Sequence, residues 1–171
     1  MFAVLNVLGS MLMLFSVTYV LPVLTSLIYR DGMLTDFLYA AAISVAVGAA
    51  LFTATQKHKR ELRSRDGFLL VALVWTVLPA FATLPHLLQM RALSFTDAYF
   101  EAVSGLTASG ATVLSGLDAL PPSLNIWRGF MIWLGGMGVI VLAVAILPLL
   151  GVGGSQLFKA ETPTPMKDTK L

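Results

Sequence analysis

The chain has 171 residues, 57% of them hydrophobic and 12% charged, with a net charge of +2 and a mean hydropathy of +0.85. A soluble domain carries about 25% charged residues, so the composition excludes an ordinary soluble fold and specifies an integral membrane protein. The small net charge gives no reason to expect a nucleic-acid partner, and the absence of cysteine excludes disulfides, thiolate metal sites and a cysteine nucleophile.

Met1 to Tyr29 is the first apolar run. No basic residue precedes Arg30, and the run is longer than the apolar part of a secretory signal, so it reads as a retained span. Asn6, Ser10, Ser16 and Thr18 are polar residues able to bond neighbouring helices, and Pro22 is placed to kink the span near its end. Arg30-Asp31-Gly32 is a short turn. Thr35 and Asp36 then offer a cap and a first-turn acid for a second span over 34–55, whose small-residue centre suits close packing. The two spans form a hairpin.

Gln56 to Asp66 is the most charged stretch, with Lys57, Lys59, Arg60, Arg63 and Arg65. It reads as a cytoplasmic topology anchor, with contact to lipid headgroups or a partner as the sharper alternative. A third span follows over 67–88, with Asp66 as its expected cap and Pro79 and Pro85 in its outer half. Proline frees carbonyls there, which neighbours or water must satisfy. After Leu120-Pro121-Pro122-Ser123, read as a breaker, a fourth span is expected over 126–150. It carries Gly135-Gly136-Met137-Gly138, small enough for close backbone approach. The polar tail holds Lys159, Lys167 and Lys170. The middle loop and tail thus hold all but three of the 11 basic residues, the others being Arg30, Arg91 and Arg128. Four crossings put both termini on that same, cytoplasmic side.

Ser94 to Leu114 lies between the last two spans and is too short and polar to be another. Ser94 followed by Asp97 resembles a capping box and predicts a helix ending near Leu106 or Thr107. Such a helix is roughly 20 Å long against a hydrocarbon core of about 30 Å, so it must enter and return on one side. Its C-terminal end favours a cation. The loop that follows offers carbonyls and the hydroxyls of Thr107, Ser109 and Thr112, while Gly110 can adopt φ values closed to other residues. The expectation is a pore loop whose backbone handles a cation. The alternative is an ordinary turn.

Glu101 is expected to hydrogen-bond backbone or Ser/Thr groups behind the loop rather than touch an ion. Asp118 either concentrates cations at the mouth or is a turn residue. Arg128 snorkels, or pairs with Asp118 or Glu101. His58 and His86 fall on opposite sides of the membrane and make no metal site. Trp75, Trp127 and Trp133 read as packing or interface anchors. No GxSxG, HExxH or P-loop pattern occurs, and no nucleophile or further acid converges on Asp97 and Glu101. Neither an enzyme nor a cofactor is expected.

Asp97 to Pro121 (DAYFEAVSGLTASGATVLSGLDALP) closely resembles the first pore loop of TrkH-type potassium uptake proteins in the Trk/Ktr/HKT superfamily. His58 to Leu69, Trp133 to Gly151 and Lys159 to Leu171 share the resemblance, which covers nearly the whole chain. It implies an all-α integral membrane fold: a two-helix hairpin, then one of four helix–pore-helix–filter-loop–helix repeats around a single pore. On that reading 1–56 is the hairpin, 57–66 the basic cytoplasmic loop and 67–150 the first repeat. Within the repeat the pore helix is 94–107 and the filter 108–112, and 151–171 is a tail or linker to a further repeat. Gly110 falls on the filter glycine, with Ala108, Ser109 and Ala111 as backbone neighbours, so that backbone would meet K⁺. Glycine there goes with K⁺, and serine in some plant members with Na⁺. The resemblance further implies the bacterial inner membrane and a regulatory cytosolic nucleotide-binding ring of the TrkA kind. One filter quarter of four is present, so the chain is expected to be a piece of a longer protein or one of several assembling copies. The other classes weighed are a non-conducting assembly fragment and a homotetrameric channel subunit.

Overall fold

Pro22 has no N–H to offer the carbonyl of Thr18, and its ring crowds the preceding turn. The first span yields there: α1 (Phe2–Ser16) passes through a 3₁₀ turn at Val17–Tyr19 into α2 (Val20–Tyr29). The structure, a computed structural model, describes residues 1–58 and 64–149. Residues 59–63 of the basic stretch, and the tail beyond 149 with its three lysines, lie outside the described residues.

A turn at Arg30–Met33 leads into α3 (Leu34–Thr55). Thr35 does not cap this helix. It already lies within the first turn, and Asp31 Oδ1 accepts the Met33 N–H at 3.2 Å instead. α1 and α3 pack backbone to backbone, since a β-carbon at Gly9 would come within 2.7 Å of the Gly48 carbonyl oxygen. Asn6 closes the far end of this hairpin by donating to the Phe52 carbonyl (3.0 Å) and Thr55 Oγ1 (3.2 Å). Ser10, Ser16 and Thr18 donate to carbonyls of their own helix.

α4 (Ser64–Ala82) starts ahead of Gly67, so Asp66 sits in its first turn rather than at its cap. Beyond Thr83, α5 (Leu84–Gln89) has Pro85 in its opening turn. Without an N–H, Pro85 leaves the Phe81 carbonyl without its usual intrahelical donor. The Tyr19 hydroxyl donates to that carbonyl at 2.9 Å. Phe2–Tyr29, Leu34–Thr55 and Arg65–Gln89 are long and apolar enough to cross a membrane.

α6 (Phe95–Leu106) and α7 (Pro122–Leu149) follow. α7 opens four residues ahead of the expected Ile126. Pro122 does not break the chain but begins the helix, where proline's missing N–H and fixed φ are harmless. The chain divides into two compact units, residues 1–136 and 137–171, and the described part of the second is the helical stretch to Leu149.

The centre of the first unit is aromatic. Fully buried Trp127 stacks on Tyr19 with ring centroids 4.6 Å apart and meets the edges of Phe15 (6.0 Å) and Phe37 (6.2 Å). Its indole N–H donates to the Ala82 carbonyl at 3.2 Å. Leu12, Met33, Leu124 and Met131 complete this core. Trp127 is therefore a core residue, whereas Trp133 is exposed and stacks on Phe130 at 5.5 Å.

Candidate functional site

α6 has twelve residues, a length of about 18 Å, well short of a crossing. Ser94 caps its start: Oγ accepts the Asp97 N–H at 3.1 Å and donates to Asp97 Oδ2 at 2.8 Å. The acid thus closes the box on the cap hydroxyl rather than on the cap N–H. The helix ends in a Schellman turn. The Ala108 N–H reaches the Gly105 carbonyl at 2.9 Å, and the Ser109 N–H reaches the Ser104 carbonyl at 3.0 Å. That turn needs a left-handed residue, and the chain supplies Ala108 at φ 56° where glycine is usual. Gly110 follows at φ 71°, so two left-handed residues flank Ser109.

From there the chain doubles back along α6. Ser104 Oγ donates to the Ala111 carbonyl at 2.6 Å and lies 2.9 Å from Ser109 Oγ. Three residues closer to the start of the helix, Glu101 Oε1 accepts the Thr112 hydroxyl (2.6 Å) and the Val113 N–H (2.7 Å). Glu101 is 3% exposed and would carry a large desolvation cost alone. Arg128 compensates it: Nε and Nη2 each lie 3.2 Å from Oε2, and Nη2 also donates to Thr112 Oγ1 at 3.1 Å. Thr112 Oγ1 further accepts the Leu114 N–H at 3.1 Å. Arg128 therefore pairs rather than snorkels. Its partner is Glu101; Asp118 is exposed, in a 3₁₀ turn at Leu117–Ala119.

These contacts sort the loop's groups. The hydroxyls of Ser109 and Thr112 face α6, Thr107 Oγ1 donates to the Val103 carbonyl (2.8 Å), and the Ala111 carbonyl is held by Ser104. The cavity between the loop and α7 is only about 10 Å³ and is lined by Glu101, Ser104, Gly110, Ala111, Arg128 and Met131 among others. That is about one water, too little for a hydrated ion. Residues 107–113 are exposed. The loop's hydroxyls are thus all engaged within the protein.

α7 holds the inner end of α6 by close approach. A β-carbon at Gly135 would overlap the Leu106 carbonyl and come within 2.9 Å of the Gly105 oxygen, while one at Gly105 would come within 2.9 Å of Met131 Cβ. Near the start of α7, Asp31 Oδ2 accepts the Ser123 N–H at 2.9 Å, a contact across 92 residues. Nothing in the sequence marked Asp31 for this. His86 is completely buried on α5. Among the described residues no group of histidines and acids is placed to hold a metal ion.

Fold and site together define a multi-pass, all-helical membrane protein in which a short capped helix and its returning loop are clasped by a longer helix. Residues 34–171 match the TrkH family model, described as a cation transport protein, and the chain belongs to that family. It is 52% identical over 169 residues to the Trk system potassium uptake protein TrkH of Halomonas elongata, covering 98% of this chain and 35% of that protein. Against the TrkH of Escherichia coli K12 the identity is 49% over 170 residues, covering 99% and 35%. The crystal structure of the potassium transporter TrkH from Vibrio parahaemolyticus superposes with a TM-score of 0.83 at 46% identity, covering 96% of this chain and 34% of that one. The chain spans about a third of the length of the relatives it matches.

Proposed function

We propose that this chain supplies one pore loop of a potassium pathway, as the N-terminal portion of a Trk-type K⁺ uptake protein. The observation that carries the reading is the loop 107–113. Its hydroxyls are engaged by α6 and α7 while residues 107–113 are exposed, which leaves backbone oxygens as the loop's groups for an ion. Hard monovalent cations bind oxygen, and carbonyl oxygens can replace a hydration shell. Relatives named as potassium uptake proteins support K⁺ as the ion.

In this reading Ala108, Ser109 and Gly110 form one quarter of a selectivity filter, with Thr107, Ala111 and Thr112 flanking it. Glu101 acts behind the filter and Asp118 at its mouth. Residues 1–56 are the leading hairpin, 67–150 one pore repeat, and 151–171 the link onward. The remaining quarters come from further repeats or from other copies of the chain. The protein sits in the inner membrane with both termini in the cytoplasm, without a cofactor, and a nucleotide-binding ring of the TrkA kind meets its cytoplasmic face.

Gly110→Ser and Gly110→Asp in the complete protein test this. K⁺ uptake or its discrimination against Na⁺ should fall. Unchanged K⁺-dependent growth of an uptake-deficient strain would overturn the assignment.

A further inference from the structure

Resting on the pore reading, we propose that the leading hairpin positions the loop, and that Asp31 is the residue through which it does so. Asp31 stands in the turn between α2 and α3, remote in sequence from the loop. Three donors converge on its carboxylate: Ser26 Oγ at 2.6 Å, the Met33 N–H at 3.2 Å and the Ser123 N–H at 2.9 Å. The first two fix the carboxylate to the hairpin. The third belongs to the first turn of α7, where backbone N–H groups lack intrahelical partners and a negative charge is favoured. The hairpin therefore caps a helix that begins 91 residues after its own turn.

What α7 carries next makes this more than a stability contact. Trp127 fits among Phe15, Tyr19 and Phe37, which are all hairpin residues. The neighbouring side chain, Arg128, projects about 100° further round the helix and binds Glu101 and Thr112. Asp31 fixes the height of α7 and the aromatic slot fixes its rotation, so together they set where the guanidinium stands. Its position sets Thr112, which in turn bonds the Leu114 N–H. The path from Asp31 to the loop consists of direct contacts through one rigid helix. Asp31 touches no loop residue and is a positioning residue.

The test compares Asp31→Asn with Asp31→Glu in the complete protein, reading ⁸⁶Rb⁺ uptake per molecule in the membrane and amide hydrogen exchange at Val113 and Leu114. Asn keeps the shape but replaces one acceptor oxygen with an amide NH₂, so either Ser123 or the Ser26 and Met33 donors lose their acceptor, whereas Glu keeps both. Asp31→Asn should raise the half-saturating K⁺ concentration by about fivefold or more, the low end of coupling between sites. It should also speed exchange at Val113 and Leu114, and Asp31→Glu should recover most of both. Unchanged kinetics and exchange would overturn the proposal, as would a loss of protein amount with uptake per molecule intact. If the wild type takes up no K⁺, the pore reading fails by itself, and the exchange comparison still decides whether Asp31 positions the loop.

Discussion

Arg128 and Glu101 pair at 3.2 Å with unequal exposure: the carboxylate side chain is 2% accessible and the guanidinium side chain 17%. The two ends therefore differ in what their loss costs. Removing Arg128 strands a buried charge, and breaking a buried pair from one side costs about 3–5 kcal/mol. Removing both charges leaves little uncompensated.

Arg128→Ala should accordingly lower the thermal stability of the detergent-solubilised protein by more than Arg128→Ala combined with Glu101→Gln. A double-mutant cycle on melting temperature measures the difference. If the effects of the two single changes simply add, the pair is not coupled.

Gly135 and Gly136 are adjacent in sequence but opposite in consequence. A β-carbon at Gly135 meets the backbone at the end of α6, which cannot move aside as a flexible side chain would, while one at Gly136 meets nothing within 4 Å. Gly135→Ala should destabilise by about 1–3 kcal/mol or more through overpacking. Gly136→Ala should stay within about 0.5 kcal/mol of the parent. Thermal melts of the two variants, each with its membrane yield, provide the comparison.

Ala108 is a left-handed residue in a turn that ordinarily uses glycine. The left-handed conformation costs a residue with a β-carbon about 1–2 kcal/mol. Ala108→Gly should recover part of that, offset by about 0.4–1 kcal/mol of extra freedom in the unfolded chain. The expected result is a small rise in melting temperature. A clear fall would mean that the methyl group has a packing role.

Asp31 supplies the pH dependence. Burial pushes its carboxyl up, but hydrogen bonds from Ser123, Ser26 and Met33 outweigh burial and hold it below the usual carboxylate value. With the folded value depressed, its contribution is complete above the unfolded value of about 3.9 and is lost as pH falls through the folded value. Wild-type protein should therefore lose stability below about pH 4 more steeply than Asp31→Asn. Parallel melts across that range check the slope.

The hairpin, the short capped helix and the returning loop could be read from local chemistry. Apolar run lengths marked the spans, Ser94 with Asp97 marked the start of α6, and Gly110 marked an unusual backbone. The missed features were those set by distant partners. Thr35 looks like a cap until Asp31 is seen to satisfy the turn, and Pro121-Pro122 looks like a breaker until α7 begins on it. Arg128 was only half legible: the sequence allowed snorkelling or a pair with Asp118 or Glu101, and a partner 27 residues earlier leaves no periodic trace by which to choose. Ala108 gave no signal at all: a residue forced left-handed by a Schellman turn looks like any alanine. The reverse case is Pro85, whose effect on the Phe81 carbonyl was legible, although its donor, Tyr19, was not.

The hairpin is closed at both ends by its own residues, by Asn6 with Phe52 and Thr55 at one end and by Ser26, Asp31 and Met33 at the other. Chains fold from the N-terminus as they are synthesised, so these contacts are available before residue 64 has been translated. Tyr19 can then receive α4 through the Phe81 carbonyl, and Trp127 can enter among rings already in place. The sequence order of the helices is thus also an order of assembly, with α7 as the closing piece. A defect in the hairpin would surface last, as a helix that arrives and finds no slot.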